Sequence, residues 1–263
     1  MIAGGGPIGR RLAALAASLM AFACAAPAAQ GAAVREAYVE VLEVFPHDEQ
    51  AFTQGLEWYD GALLESTGQF GESSLRRVEI SSGEVEKRRE VDSRYFAEGL
   101  TRVGDRLIQL TWQAGEALVY DAESLAPRGR LDYRGEGWGL CFDGERLVMS
   151  DGSSQLTFRD PETFAELSTL EVTLRGRPLR NLNELECVHG EVYANVFGSD
   201  VIVAIDPLSG RVTQMVDASG LLPPSEARHA DVLNGIAWDP VGERFLVTGK
   251  NWPKLFAVRF VER

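Results

Sequence analysis

Five side chains recur at one point of a repeated pattern. Gln54, Glu98, Trp138, Asn183 and Asn234 each precede Gly or Glu and then Leu or Ile. The middle residues of these triplets lie 44, 40, 45 and 51 positions apart. Four polar groups and an indole thus stand where packing alone would favour small or apolar residues. A second set follows the next apolar segment: Gly68, Trp112, Gly152, Phe197 and Lys250. Brought to one mouth of a channel, the two sets would make a pocket with aromatic walls, one carboxylate, one ammonium and several amides. Such a pocket suits a small polar ligand. Each member also has a plainer reading. Glu98 could be a carboxylate satisfied by backbone N–H groups, and Lys250 a surface lysine. Trp112 and Trp138 could be packing residues like Trp58 and Trp238, and Asn183 and Asn234 could cap turns. The set is more specific than its members, because repeat alignment selects the positions without regard to chemistry.

The elements that must position these residues are short strands. A turn follows each triplet, at Asp60-Gly61, Gly104-Asp105, Asp143-Gly144, His189-Gly190 and Val241-Gly242, and an apolar strand follows each turn. Third strands read Leu118 to Asp121, Leu156 to Phe158, Val201 to Asp206 and Leu255 to Val258. Turns such as Ser82-Gly83, Asp160-Pro161 and Ser209-Gly210 lead to a fourth. Four-stranded units at this spacing predict an all-β fold, a five-bladed β-propeller; the competing architecture is an open β-sandwich pair. The last unit has room for only three strands before Arg263. Tyr38 to Val44 is expected to supply the fourth and close the ring, which removes open edges. The insertion from Leu221 to His229 is the one place with room for a short helix. Cys141 lies two residues beyond Gly139 and Cys187 three beyond Glu184, which gives opposite pleat parity in neighbouring blades. That parity predicts two buried free thiols in place of a disulfide.

Composition narrows the function. The 263 residues carry 26 basic and 39 acidic side chains, a formal net charge of -13, which disfavours nucleic acid and anionic lipid as partners. The basic run Lys87-Arg88-Arg89 is flanked by Glu86 and Glu90 and reads as a solvated strand or turn. Residues 1–30 have the form of a signal peptide: Arg10-Arg11, an apolar stretch from Leu12 to Cys24, then small residues to Ala29. The expected product is an exported chain, periplasmic or secreted, with residues 31–263 as one domain, without a membrane span and monomeric. A lipid anchor at Cys24 is not expected, because Ala21 stands where lipoprotein signals usually carry Leu. His47, His189 and His229 are scattered, and no metal-ligand motif or cofactor signature is present.

Longer motifs add a resemblance. Phe52-Thr53-Gln54-Gly55-Leu56, Leu64-Glu65-Ser66-Thr67-Gly68, Phe96-Ala97-Glu98-Gly99-Leu100, Leu110-Thr111-Trp112, Asn183-Glu184-Leu185-Glu186, Asn234-Gly235-Ile236-Ala237 and Thr248-Gly249-Lys250-Asn251-Trp252-Pro253 resemble the plant and bacterial type of glutaminyl-peptide cyclotransferase. The resemblance runs from about Phe52 to the C-terminus. It implies a five-bladed propeller that turns N-terminal glutaminyl residues of peptides or proteins into pyroglutamyl, with release of ammonia and without a metal. By resemblance Glu98 is the acid/base, and Phe52, Gln54, Trp112, Trp138, Asn183 and Lys250 are the other pocket residues. Phe197 departs from the pattern, standing where the family usually has Trp; the aromatic wall survives and an indole donor is lost. On this basis Glu98, Asn183 and Lys250 are expected to be catalytic. Phe52, Gln54, Trp112, Trp138, Phe197 and Asn234 are expected to hold substrate. Two other classes remain open: a calcium-dependent propeller lactonase or hydrolase using Glu98, Asn183 and Asn234 as oxygen ligands, and a non-catalytic peptide-binding propeller.

Overall fold

The computed structural model describes residues 1–6 and 33–263. The expected signal segment, with Cys24, lies from position 7 onward outside the described residues. Strands account for nearly all regular structure from 33 to 263. After β1 (Arg35–Pro46) come four antiparallel strands, β2 (Thr53–Tyr59), β3 (Ala62–Thr67), β4 (Ser74–Glu79) and β5 (Val85–Glu90). The second sheet is β6 (Ala97–Val103), β7 (Arg106–Thr111), β8 (Glu116–Asp121) and β9 (Pro127–Asp132). The third is β10 (Leu140–Phe142), β11 (Leu147–Ser150), β12 (Gln155–Arg159) and β13 (Glu166–Glu171). A two-stranded ribbon, β14 (Thr173–Leu174) and β15 (Arg177–Pro178), leads to β16 (Leu182–Val188), β17 (Glu191–Val196), β18 (Val201–Ile205) and β19 (Val212–Asp217). A four-residue helix, α1 (Pro224–Ala227), sits in the insertion where a helix was expected. The chain ends with β20 (Leu233–Asp239), β21 (Arg244–Gly249) and β22 (Lys254–Glu262).

β1 pairs antiparallel with β22, from Ala37 opposite Glu262 to Pro46 opposite Lys254, so the N-terminal strand completes the last unit. Its first residues also pair in parallel with β19, Arg35 opposite Gln214, which joins the last two units into one eight-stranded sheet. The sequence pattern had no sign of this second pairing, in which Ala37 and Tyr38 pair with β22 on one edge of β1 and with β19 on the other. The first strands neighbour one another in cyclic order: β2 beside β6, β6 beside β10, β10 beside β16, β16 beside β20, and β20 beside β2. The architecture is propeller-like. β2 and β3 are buried, whereas β5, which holds Lys87-Arg88-Arg89, is largely exposed, as are β9 and β13.

The core lies between sheets. Leu64 and Leu75 meet Leu100 and Leu107; Ile108 and Leu110 meet Leu140 and Leu147. Val148 and Leu156 meet Leu185 and Val192, and the last interface returns to the first sheet, where Ala237 and Leu246 meet Leu56 and Leu63. Each interface buries branched side chains worth about 1.5–3 kcal/mol apiece, so neighbouring sheets hold each other in place.

One expectation is corrected. Cys141 and Cys187 form a disulfide, with Cα atoms 5.4 Å apart. Opposite pleat parity does not keep these thiols apart. Stacked units all turn the same face forward, so one sheet's front meets the next sheet's back. Leu140 faces the second sheet, and Cys141, one residue on, faces the fourth. Leu185 faces the third sheet, and Cys187, two residues on, shares its side. Opposite parity is therefore what brings thiols of neighbouring sheets together.

Candidate active site

The ring residues sit where the inner strands lose their regular register. β2 shifts between Thr53 and Gly55, β6 between Ala97 and Leu100, β16 between Leu182 and Leu185, and β20 between Leu233 and Ile236. Gln54, Glu98, Asn183 and Asn234 fall inside these bulges. A bulge takes a residue out of strict alternation and re-aims its side chain, which lets one position of each strand leave the sheet face. Trp112, Phe197 and Lys250 each follow a second strand at the same end.

Phe52, Gln54, Phe96, Glu98, Trp112, Trp138, Asn183, Phe197 and Lys250 line one cavity of about 210 Å³. Eight of the nine expected site residues are thus brought together. The ninth, Asn234, lies beneath: it is fully buried, and its Nδ2 donates to Thr53 O at 3.0 Å and Gln54 Oε1 at 3.2 Å. It holds Gln54 and does not line the cavity. Gly68 and Gly152 make room for the walls. A Cβ at Gly68 would lie 2.3 Å from the Phe96 ring, and one at Gly152 would lie 2.7 Å from the Trp138 indole.

Glu98 is 5% exposed. Its carboxyl group has no hydrogen-bond or ion-pair partner among the described residues. Burial holds it well above the usual carboxylate range; Lys250 opposes the shift and Glu136 adds to it. Burial also pulls the Lys250 ammonium down, against the attraction of Glu98 and Asp231. Lys250 Nζ stands 4.7 Å from the Phe52 ring centre and 5.1 Å from that of Phe197, within cation–π range. Asn183 Oδ1 is buried without a partner among the described residues, and an unpaired buried acceptor favours a ligand that supplies a donor. The aromatic rings meet edge to face, Phe96 with Phe52 and Trp112, and Trp138 with Phe197.

Three residues escaped the reading of the sequence. Phe96 occupies the repeat position of Phe52, two before the ring residue, and that alignment could have found it. Glu184 stands where the other units have Gly. Fully buried, it accepts from Leu56 N at 3.3 Å and Ile236 N at 2.8 Å, tying the fourth inner strand to two others. The break in the glycine pattern was its signal. Glu136 holds the same repeat position as Phe52 and Phe96, two before Trp138, so the alignment marks the place, but only the folded chain sets its carboxylate between two indoles.

Comparisons with known proteins point to one family. The profile of the glutamine cyclotransferase family matches residues 13–260. A glutaminyl-peptide cyclotransferase of Arabidopsis thaliana is 43% identical over 226 residues, 84% of this chain and 71% of the plant protein. The crystal structure of Myxococcus xanthus glutaminyl cyclase superposes with a TM-score of 0.80 at 38% identity, covering 88% of this chain and 99% of that one. With a buried acid among aromatic walls, and a match that spans nearly the whole sequence, the chain belongs to the glutamine cyclotransferase family.

Proposed function

We propose that the cavity around Glu98 closes N-terminal glutaminyl residues of peptides or proteins to pyroglutamyl residues by acid–base chemistry that needs no metal. The enzyme is a glutaminyl-peptide cyclotransferase. The observation that carries the mechanism is one buried, unpartnered carboxyl group in a cavity walled by aromatic rings. The substrate's α-nitrogen attacks its own side-chain amide carbon, so the enzyme gains chiefly by folding a flexible chain into an attacking shape. Trp112, Trp138, Phe96 and Phe197 supply the walls for that. As the new C–N bond forms, the nitrogen gives a proton to the Glu98 carboxylate. Burial makes this carboxylate a stronger base than an exposed one, closer in affinity to the amine. Glu98 then returns the proton to the departing nitrogen, the old C–N bond breaks, and ammonia leaves. The side-chain amides of Asn183 and Gln54 are suited to donate to the oxygen that gains charge, and Lys250 to stabilise it.

The test is incubation of the purified protein with a glutaminyl dipeptide, before and after chelation. Loss of one ammonia per peptide in both arms is expected. Loss of activity on chelation, restored by added metal, would refute the metal-free route.

We also read the sheets as a five-bladed propeller, supported by the cyclic order of the five first strands and by β1 completing the last unit. The basic and apolar composition of residues 10–29 supports export to the periplasm or medium. Fractionation of cells producing the full chain tests this, since the product should carry a shortened N-terminus. The protein is read as a monomer, which sedimentation tests.

A further inference from the structure

Resting on the assignment of the cavity as the cyclisation site, we propose that Glu136 is a positioning residue for the reaction, one carboxylate that fixes both indole walls in the orientation the substrate needs. Trp112 follows β7 of the second sheet and Trp138 precedes β10 of the third, so the two rings come from separate units. Glu136 Oε2 accepts from Trp112 Nε1 at 2.8 Å and from Trp138 Nε1 at 3.0 Å. Its Oε1 accepts from Gln113 Nε2 at 2.9 Å. The same segment is tied down by its backbone, since Gly137 N donates to Trp112 O at 2.9 Å. A Cβ on Gly137 would lie 2.4 Å from Tyr133 Oη, so a larger residue there would have to displace that side chain.

An indole has one polar atom and otherwise slides on apolar surface. Two charge-assisted hydrogen bonds to one oxygen remove that freedom from both walls at once. They also leave the indole faces, with no polar atom turned inward, to pack the folded glutamine side chain. A carboxylate offers about four acceptor directions, and three are taken here. Glu136 does not line the cavity, so its contact with the substrate's surroundings is made through the rings, beside the effect of its charge on Glu98.

The experiment uses the full purified chain and two substitutions. Glu136→Ala removes every acceptor. Glu136→Gln keeps one oxygen able to receive both indoles. Steady-state constants are measured with a glutaminyl dipeptide, and the two indole N–H resonances are followed by nitrogen-15 NMR, each assigned by Trp→Phe replacement. Glu136→Ala should raise KM about tenfold or more, the scale set by loss of hydrogen bonds to a charged group, and should move both resonances. Glu136→Gln should recover most of the KM and keep the resonances near their native positions. The inference is overturned if Glu136→Ala leaves KM within about twofold. It is equally overturned if Glu136→Gln matches Glu136→Ala in KM while its indole resonances stay native, because orientation would then not be what the substrate requires. Glu98→Gln serves as the separate control. Full turnover in that variant would remove the acid–base assignment, and the indole resonances would still decide whether Glu136 sets the walls.

Discussion

Reduction of the Cys141–Cys187 bond isolates the cross-link from side-chain packing, because both sulfurs stay in place. The bond joins the inner strands of the third and fourth sheets and spans 46 residues of chain. By the chain-entropy relation a loop of that length restricts the unfolded state by about 4 kcal/mol at 25 °C. For a domain of this size each kcal/mol moves the melting temperature by about 2–4 °C. The reduced protein is therefore expected to melt about 8–16 °C below the oxidised one, with matched buffer and scan rate. The assay is calorimetry with and without a phosphine reductant, paired with alkylation of the unfolded chain and peptide mapping to show which thiols were free. Neither cysteine lines the cavity, so KM and kcat measured well below both transitions should not change on reduction. A shift under about 2 °C would refute the reasoning. So would alkylation of both cysteines in unreduced protein.

Glu98→Gln keeps the side-chain volume and removes the proton carrier. Turnover should fall about 100-fold or more in an ammonia-release assay, with an unchanged far-ultraviolet spectrum; near-normal turnover would remove the assignment. Glu184→Ala strands the amides of Leu56 and Ile236 without an acceptor, and should cost on the order of 3 kcal/mol in denaturant unfolding. Burial pushes Glu57 from the usual value near 4.5 up to about 7. The folded chain thus holds a proton there that the unfolded chain has shed. This group's contribution is complete below the unfolded value and is gone once pH has passed about 7, so it should make thermal stability decline over about pH 4.5 to 7. Glu57→Gln should flatten that slope, and an unaltered slope would show that Glu57 does not cause it.

Local pattern carried much of this protein. Alternation and turn residues specify the strands, their recurrence specifies like units, and the short last unit calls for an N-terminal partner, which β1 provides. The same alignment picked out Gln54, Glu98, Trp138 and Asn183, because equivalent positions of equivalent units must share a place about the axis. Lys250, Trp112 and Phe197 follow from the next strand by the same logic. What lay beyond the pattern depends on relations between units. Pleat parity along a strand was legible, but which faces meet is a property of the stack, and that decided the fate of Cys141 and Cys187. Asn234 shares the ring position yet turns under the pocket, because Thr53 O and Gln54 Oε1 capture its amide. Glu136 joins the site only because Trp112 and Trp138, 26 residues apart in the chain, converge on its carboxylate. Hydrogen bonds between distant segments depend on distances in space that no one-dimensional spacing encodes, and tertiary packing alone sets them.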